Sequence, residues 1–212
     1  MGLKDRNLQD LTRCAADVLR QGGVVAYPTE TSYGLGASIE AIDALFRIYE
    51  IKRRPQDKPL LVIVKDPSWL ERLAAHIPEA AYPIMEKFWP GPLTILFPAR
   101  PGLPWPLCAS TGKVGVRVSS HSVAAALVER LGAPITATSA NLSGHPAANT
   151  AAEVMKQLGS CPKGLDFILD AGPAHGGQPS SIVDITVDPP VILRQGAVSR
   201  EDILALCAKG RA

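Results

Sequence analysis

Cysteine and long apolar runs are scarce in this sequence of 212 residues. The four cysteines are widely scattered, and no two of them form a C-x-x-C pair, so the sequence predicts neither a disulfide framework nor a zinc site. No apolar run approaches the roughly 18 residues that a membrane-spanning helix needs, and the first ten residues lack the apolar segment of a secretory signal. These features together predict a reduced, cytoplasmic protein.

An excess of charge of one sign is also missing. Lys and Arg number 22 against 20 Asp and Glu, a net charge of +2, which is too small to predict a nucleic-acid surface by itself. Aromatic residues make up only 5% of the chain and form no motif with basic residues. The 46% hydrophobic content excludes a disordered chain, and the 18 Gly and 19 Pro argue against a helical bundle.

Several common catalytic and nucleotide-binding motifs are absent. Gly112-Lys113 resembles the end of a P-loop, but Leu107 and Val114 stand where the first glycine and the Mg²⁺-binding hydroxyl are needed. Gly34-Leu35-Gly36 is followed by Ile39 instead of a third glycine, so the dinucleotide fingerprint fails. The histidines lack metal-ligand spacing, and no G-x-S-x-G sequence is present.

Hydrophobic periodicity predicts short strands mixed with helices along the whole chain. Helices are expected over residues 8–19, 42–49, 69–75, 80–88 and 123–131, with two more opening near residues 150 and 199. Strands are expected over residues 24–27, 60–64, 93–97, 114–118, 135–138, 167–169, 182–185 and 191–193. This mixture predicts an α/β or α+β fold, in which residues 1–212 form a single domain around one twisted mixed sheet.

Helix caps and one loop are predicted from local sequence. Asn7 is expected to cap the first helix, Ser119 or Ser120 the helix from residue 123, and Thr150 with Glu153 forms a capping-box pattern. The polar stretch 29–36 is expected to be a loop that leaves the first strand.

Four groups of polar and cationic residues follow predicted strands or helices, where open α/β sheets bind ligands. The first is the segment Pro28–Leu35, in which hydroxyls flank a carboxylate. Thr29 in this segment fits either a ligand site or a turn that closes the strand. The second is Lys52-Arg53-Arg54-Pro55 with Lys58, four cations within seven residues, which suits a polyphosphate or a solvated helix end.

The third group joins Thr138-Ser139-Ala140-Asn141 to Arg117 on the preceding strand. Arg117 shares a strand face with Gly115, so its guanidinium is expected to be buried and to need an anion. A substrate carboxylate or an internal Asp or Glu satisfies that need. The fourth group is Ser180-Ser181 with Arg194, which ends the following strand.

Read in order, these segments resemble the YrdC-like family of threonylcarbamoyl-AMP synthases over nearly the whole chain. The resemblance rests on a K-x-R and an S-x-N signature together with four flanking segments, and the combination is more specific than any single motif. The matching segments are Pro28–Leu35, Lys52-x-Arg54-Pro55, Trp89–Thr94, Val116-Arg117-Val118, Ser139–Gly144 and Leu193-Arg194-Gln195-Gly196.

The resemblance implies a twisted sheet with a large basic concavity and a reaction of L-threonine, bicarbonate and ATP, with Mg²⁺ accompanying ATP. By motif, ATP would be bound by Lys52, Arg54, Ser139, Asn141 and Arg194, to which the cation cluster adds Lys58. Threonine would be bound by Thr29, Arg117 and Ser180, to which the third group adds Thr138. Lys52, Arg54, Ser139 and Asn141 would be the catalytic set.

The product implied by the resemblance is threonylcarbamoyl-AMP, which a separate transferase complex would use to modify adenosine 37 of tRNAs. Some longer relatives carry a histidine where this chain has Ile63, and they append a C-terminal domain that is not expected here. Two alternatives remain open. One is a carbamoyl-adenylate-forming domain of the hydrogenase-maturation type, and the other is a non-catalytic module that binds RNA weakly.

Overall fold

The computed structural model describes residues 3–161 and 164–209. Helices in these ranges are α1 (Leu3–Arg20), α2 (Ile42–Lys52), α3 (Ala81–Phe88), α4 (Trp105–Cys108), α5 (Ser122–Leu131), α6 (Ala151–Leu158) and α7 (Arg200–Lys209). Strands are β1 (Val25–Pro28), β2 (Tyr33–Gly36), β3 (Val62–Val64), β4 (Leu93–Pro98), β5 (Lys113–Val118), β6 (Ile135–Thr136), β7 (Thr138–Ser139), β8 (Phe167–Ile168), β9 (Ser181–Asp184) and β10 (Val191–Arg194).

The strands form two mixed sheets rather than the single sheet predicted. The smaller sheet has the order β7-β2-β1-β8, and the larger has the order β10-β9-β4-β5-β3-β6. Both contain parallel and antiparallel pairs: β1 is antiparallel to β2 and parallel to β8, while β5 is antiparallel to β4 and parallel to β3. The mixed α/β class with flanking helices is therefore confirmed.

The two sheets meet where β6 leads into β7. The predicted continuous strand over residues 135–138 is divided, because β6 pairs with β3 in the larger sheet and β7 pairs with β2 in the smaller one. Hydrogen bonds close the junction: Thr136 N donates to Ala37 O over 3.0 Å, and Ala37 N donates to Thr136 Oγ1 over 3.0 Å. One short segment thus forms an edge strand of each sheet.

The prediction of a loop over residues 29–36 was wrong for its second half. A tight turn follows β1, and the chain returns at once as β2 in antiparallel register, with Ala26 opposite Leu35. Glycine is required at residue 36, because a Cβ there would lie 2.7 Å from Cε1 of the fully buried Tyr27 ring. Gly36 therefore serves close packing within a hairpin.

Two of the predicted caps were wrong. Helix α1 already begins at Leu3, so the exposed Asn7 lies inside it. Helix α5 is capped by His121, whose Nδ1 accepts a hydrogen bond from Val123 N over 3.3 Å, because Ser119 Oγ is engaged with Glu30 instead.

The Thr150 cap is confirmed, since Thr150 Oγ1 accepts from Glu153 N over 3.2 Å. The helix expected over residues 69–75 is a 3-10 helix, Pro67–Arg72, that follows the N-cap Asp66.

Helices α1 and α5 pack together against one face of the sheets. Leu19 from α1 and Leu127 from α5 are fully buried beside Tyr27 and Ile63. Each such aliphatic side chain stabilises the fold by about 1.5–3 kcal/mol through burial alone. This packing secures β1 and β3, whose ends carry site residues. Among the described residues, no helix is both long and apolar enough to span a membrane.

Candidate functional site

A cavity of about 780 Å³ lies between the two sheets and is lined by residues of both. Eight of the ten predicted site residues line it, whereas Lys52 and Lys58 do not. The eight are Thr29, Arg54, Arg117, Thr138, Ser139, Asn141, Ser180 and Arg194. The fold therefore brings together segments that are up to 165 residues apart, as Thr29 and Arg194 are in the numbering.

Strand β5 supplies the floor of the cavity. Its alternate residues Lys113, Gly115 and Arg117 all line the cavity, as the two-residue period of a strand requires. A Cβ at Gly115 would lie 2.5 Å from Leu61 Cδ2 and 3.0 Å from Leu96 Cδ2. Glycine at this position therefore leaves an apolar depression between two cationic side chains.

The Thr29 hydroxyl is used by the turn between β1 and β2. Thr29 Oγ1 donates to Ser32 O over 2.7 Å and accepts from the backbone N–H groups of Thr31 and Ser32, each over 3.3 Å. Thr29 is 2% exposed. The hydroxyl of Thr29 therefore stabilises the turn, as one of the two alternatives for this segment predicts. Thr29 also lines the cavity as part of this turn.

Arg117 is buried and paired with a carboxylate of the chain itself. Its Nη1 lies 3.1 Å from Glu30 Oε1, and the two side chains are 6% and 12% exposed. The second carboxylate oxygen, Oε2, accepts a hydrogen bond from Ser119 Oγ. Of the two anions considered for Arg117, the internal one is present, while Arg117 also faces the cavity.

Arg54 follows the end of α2 and is held by the backbone of the next turn. Its Nε donates to Lys58 O and its Nη2 to Pro59 O, each over 3.2 Å. Burial lowers the pKa of the Arg54 guanidinium from its ordinary value. Lys58 contributes its backbone oxygen here, while its side chain is exposed and lies outside the cavity lining. The contact of Lys58 with phosphate stays a prediction.

Lys52 lies behind the cavity wall and not in it. Its ammonium donates to Ser139 O, to Asn141 O over 2.8 Å and to Asn141 Oδ1 over 3.0 Å. An ammonium has three N–H donors, so these acceptors occupy all of them. In this arrangement Lys52 shapes the loop that follows β7, and its contact with ATP stays a prediction.

That loop presents two of the predicted ATP ligands. Ser139 Oγ donates to Asn141 Oδ1 over 2.6 Å, and the amide of Asn141 donates to His145 O.

Burial and, to a smaller extent, Arg54 lower the pKa of Lys52 to about 7. Thr138 lies just before the loop, is 8% exposed and pairs with Leu35 of β2.

Arg194 extends along the edge of the cavity and is fixed by Ser180. Its Nε donates to Ser180 O and its Nη2 to Ser180 Oγ, each over 2.9 Å. Burial, then Arg117 and Arg54, lower the pKa of Arg194. The positive charges of Arg54, Arg117 and Arg194 therefore repel one another, and a bound polyanion would reduce that repulsion.

An ion pair that the sequence did not reveal lies at the far end of the floor. Lys113 Nζ is 2.6 Å from Asp184 Oδ2, and both residues line the cavity. Burial raises the pKa of Asp184, but hydrogen bonds from Lys113 and Thr186 outweigh it and leave that pKa below its usual value. The shared strand face of Lys113 and Arg117 was a signal for Lys113, whereas Asp184 had no comparable signal.

Within residues 3–161 and 164–209, no three His, Cys, Asp or Glu residues are grouped to hold a metal ion. The cavity lining includes four Lys or Arg residues and one carboxylate, Asp184, which Lys113 already engages. A lining of this charge suits an anionic ligand.

Comparisons with known proteins agree with this geometry. A Bacillus subtilis threonylcarbamoyl-AMP synthase is 43% identical over 193 residues, covering 91% of this chain and 55% of that protein. Pyrococcus abyssi Sua5 in complex with L-threonine superposes with a TM-score of 0.87 at 39% identity, covering 92% of this chain and 56% of that one. E. coli YciO has a TM-score of 0.83 at 30% identity, covering 92% of this chain and 94% of that one.

The chain spans about half the length of several curated relatives, as the 55% coverage of the Bacillus subtilis protein and the 52% coverage of a Schizosaccharomyces pombe synthase illustrate. A family model with the description "Telomere recombination" matches residues 17–196, which include every predicted site residue. The chain therefore belongs to the Sua5/YciO/YrdC family.

Proposed function

We propose that this chain forms L-threonylcarbamoyl-AMP and pyrophosphate from L-threonine, bicarbonate and ATP. The observation that carries the proposal is the convergence of Arg54, Arg117 and Arg194 on one cavity between the sheets. Two anionic substrates, an amino-acid carboxylate and a triphosphate, need several separately held cations. The relatives' activity and the threonine bound to Pyrococcus abyssi Sua5 support the same assignment.

We assign two subsites from the side chains that line the cavity. Threonine would bind near Arg117, with its carboxylate on the guanidinium and its side chain toward Thr138 and Ser180. The triphosphate would bind along Arg54, the Ser139–Asn141 loop and Arg194. Mg²⁺ would arrive with ATP as part of that substrate, ligated by phosphate oxygens, in keeping with the basic lining.

The chemistry requires two bond-forming steps. The neutral amine of threonine attacks the carbon of bicarbonate or CO₂ to give a carbamate. One water is released with bicarbonate, and one proton is released with CO₂. A carbamate oxygen then attacks the α-phosphorus of ATP, and pyrophosphate leaves in line with the attack. The protein contributes positioning and stabilisation of negative charge, so a covalent nucleophile is not needed.

The product is an activated carbonyl compound, and its use in tRNA modification by a separate transferase complex is part of the proposal. The net charge of +2 does little to favour direct RNA binding. A carbamoyl-adenylate-forming reaction would share the ATP subsite but would not require threonine.

The decisive experiment incubates the protein with ATP, bicarbonate, Mg²⁺ and each of the twenty amino acids in turn. Pyrophosphate release is followed, and the adenylate is identified by mass spectrometry. We expect the order Thr > Ser > Val. Serine lacks one methyl group and should react roughly 10–200-fold less efficiently, while valine leaves hydroxyl partners unpaired.

Two other results would replace the proposal. Pyrophosphate release that needs carbamoyl phosphate and no amino acid would indicate the carbamoyl-adenylate reaction. Absence of any adenylate, with tight and salt-sensitive tRNA binding, would indicate an RNA-binding module.

A further inference from the structure

The Glu30–Arg117 pair connects the two sheets at the proposed threonine subsite. Glu30 lies in the turn between β1 and β2 of the smaller sheet, and Arg117 lies on β5 of the larger sheet. The pair is almost fully buried, with 12% and 6% of the side chains exposed. Interactions between buried charges are screened much less by salt than those on a surface.

The carboxylate of Glu30 contacts Arg117 without being part of the cavity lining. Arg117 is part of the cavity lining, whereas Glu30 is not. The shortest contact between them, 3.1 Å, uses one guanidinium nitrogen, Nη1. A guanidinium has five N–H groups, so a carboxylate in the cavity can bind the same side chain at the same time.

Glu30 is itself held from a third direction. Ser119 Oγ donates to Glu30 Oε2, and Ser119 Oγ also accepts from His121 N over 3.2 Å at the start of α5. Glu30 is therefore a fixed anion, tied to the residues that follow β5 as well as to Arg117. The rigid corner around Thr29 sets its backbone.

We propose that Glu30 is a positioning residue for amino-acid binding, which acts by fixing the Arg117 guanidinium so that its remaining donors face the substrate carboxylate. This inference rests on the proposed function. It assigns a role in amino-acid recognition to a carboxylate that itself lies outside the cavity. A buried cation without Glu30 would lose both its counter-charge and its orientation, and an arginine fork binds a carboxylate well only when it is oriented.

The test compares Glu30→Gln with Glu129→Gln as a matched control. Glu129 pairs with Lys65 on the surface, where the side chains are 63% and 46% exposed, and takes no part in the site. Threonine and ATP affinities are measured by calorimetry, and KM values by pyrophosphate release. We expect Glu30→Gln to weaken threonine binding roughly 10-fold or more while ATP affinity changes less than about 2-fold. The control should leave both affinities unchanged.

A double-mutant cycle separates positioning from direct contact. If Glu30 acts through Arg117, the variant Glu30→Gln adds no further loss of threonine affinity in an Arg117→Met background. Additive losses in that background would overturn the proposal, because they would indicate that Glu30 contacts threonine independently. Glu30→Asp, which keeps the charge, should recover part of the affinity and serves as the folded variant if Glu30→Gln does not fold.

The outcomes also separate this inference from the proposed function. Threonine binding that depends on Glu30 without adenylate formation would refute the proposed reaction and leave the positioning role intact. Normal adenylate formation with an unchanged threonine KM in Glu30→Gln, or an equal rise in the KM of both substrates, would overturn the positioning role alone. A wild-type protein that binds no threonine would overturn both.

Discussion

Lys52 Nζ lies 2.8 Å from the backbone oxygen of Asn141, 89 residues further along the chain. This contact ties the last turn of α2 to the loop after β7, whose Ser139 and Asn141 line the cavity. Lys52 is 2% exposed, and its ammonium donates hydrogen bonds to oxygens of Ser139 and Asn141. Lys52 therefore shapes the loop that presents Ser139 and Asn141, the side chains proposed to bind ATP.

The Lys52 ammonium should make stability depend on pH in a defined direction. Its pKa is lowered to about 7 in the fold, against about 10.4 in an unfolded chain. Between these values the unfolded state binds the additional proton, so the Lys52 contribution to the free energy of unfolding rises with pH. Relative to Lys52→Met, the wild type should gain up to about 1.4 kcal/mol per pH unit above pH 7. Urea unfolding at pH 6.5–9 measures the free energy of unfolding of both proteins. Parallel plots of that free energy against pH would contradict the prediction.

Arg54 and its neighbour Arg53 provide a matched pair for the triphosphate subsite. Arg54 lines the cavity, whereas Arg53 is exposed at the C-cap of α2. Arg54→Ala should weaken ATP binding roughly 10–150-fold through loss of a charge-assisted contact, and Arg53→Ala should leave it nearly unchanged. Calorimetric titration of both variants with MgATP tests the prediction. An Arg54→Ala affinity for MgATP equal to that of the wild type would show that the Arg54 charge is not used for binding.

Arg117→Lys keeps the charge and removes the planar fork. We expect the threonine KM to rise far more than the ATP KM, since bidentate geometry matters for the carboxylate. Arg13→Lys, in an exposed pair with Asp10, is the control and should change neither value. A melting temperature that collapses without ligand, or equal effects on both substrates, would instead indicate that Arg117 serves only the ion pair with Glu30.

Gly36→Ala tests the packing of the hairpin that carries Thr29. The added methyl group would lie 2.7 Å from Cε1 of Tyr27, whose ring is fully buried and whose hydroxyl donates to Thr136 O over 2.8 Å. Overpacking of this kind typically costs 1–3 kcal/mol, which for a chain of this size lowers the melting temperature by roughly 2–12 °C. Differential scanning calorimetry provides the measurement, and an unchanged melting temperature would show that the ring can move aside.

Most of the elements were predictable because apolar periodicity is strong in strands such as β4 and β5 and in helix α5. Strand β2 was missed because its two glycines carry a turn signal in sequence, and the position of the Tyr27 ring explains only the second of them, Gly36. The division of residues 135–139 was equally inaccessible. Nothing in an apolar run tells which partner strand each residue will meet.

The site residues were predicted from motif order, but their partners depended on three-dimensional contacts. Charge alone does not distinguish a lysine that turns inward from one that stays in solvent, and Lys52 and Lys58 differ in this respect. Glu30 and Arg117 are 87 residues apart, and Lys113 and Asp184 are 71 apart, so local sequence gives no sign of either pair.

The segment of residues 135–139 joins the two sheets at one edge of each. Strands β6 and β7 are edge strands of the two sheets and belong to one continuous segment, while β10 lies at the opposite edge of the larger sheet. Two hydrogen bonds between Ala37 and Thr136 hold the sheets together at this junction. In strand order Arg194 on β10 is therefore the cavity cation furthest from this junction, whereas Ser139 on β7 lies at it.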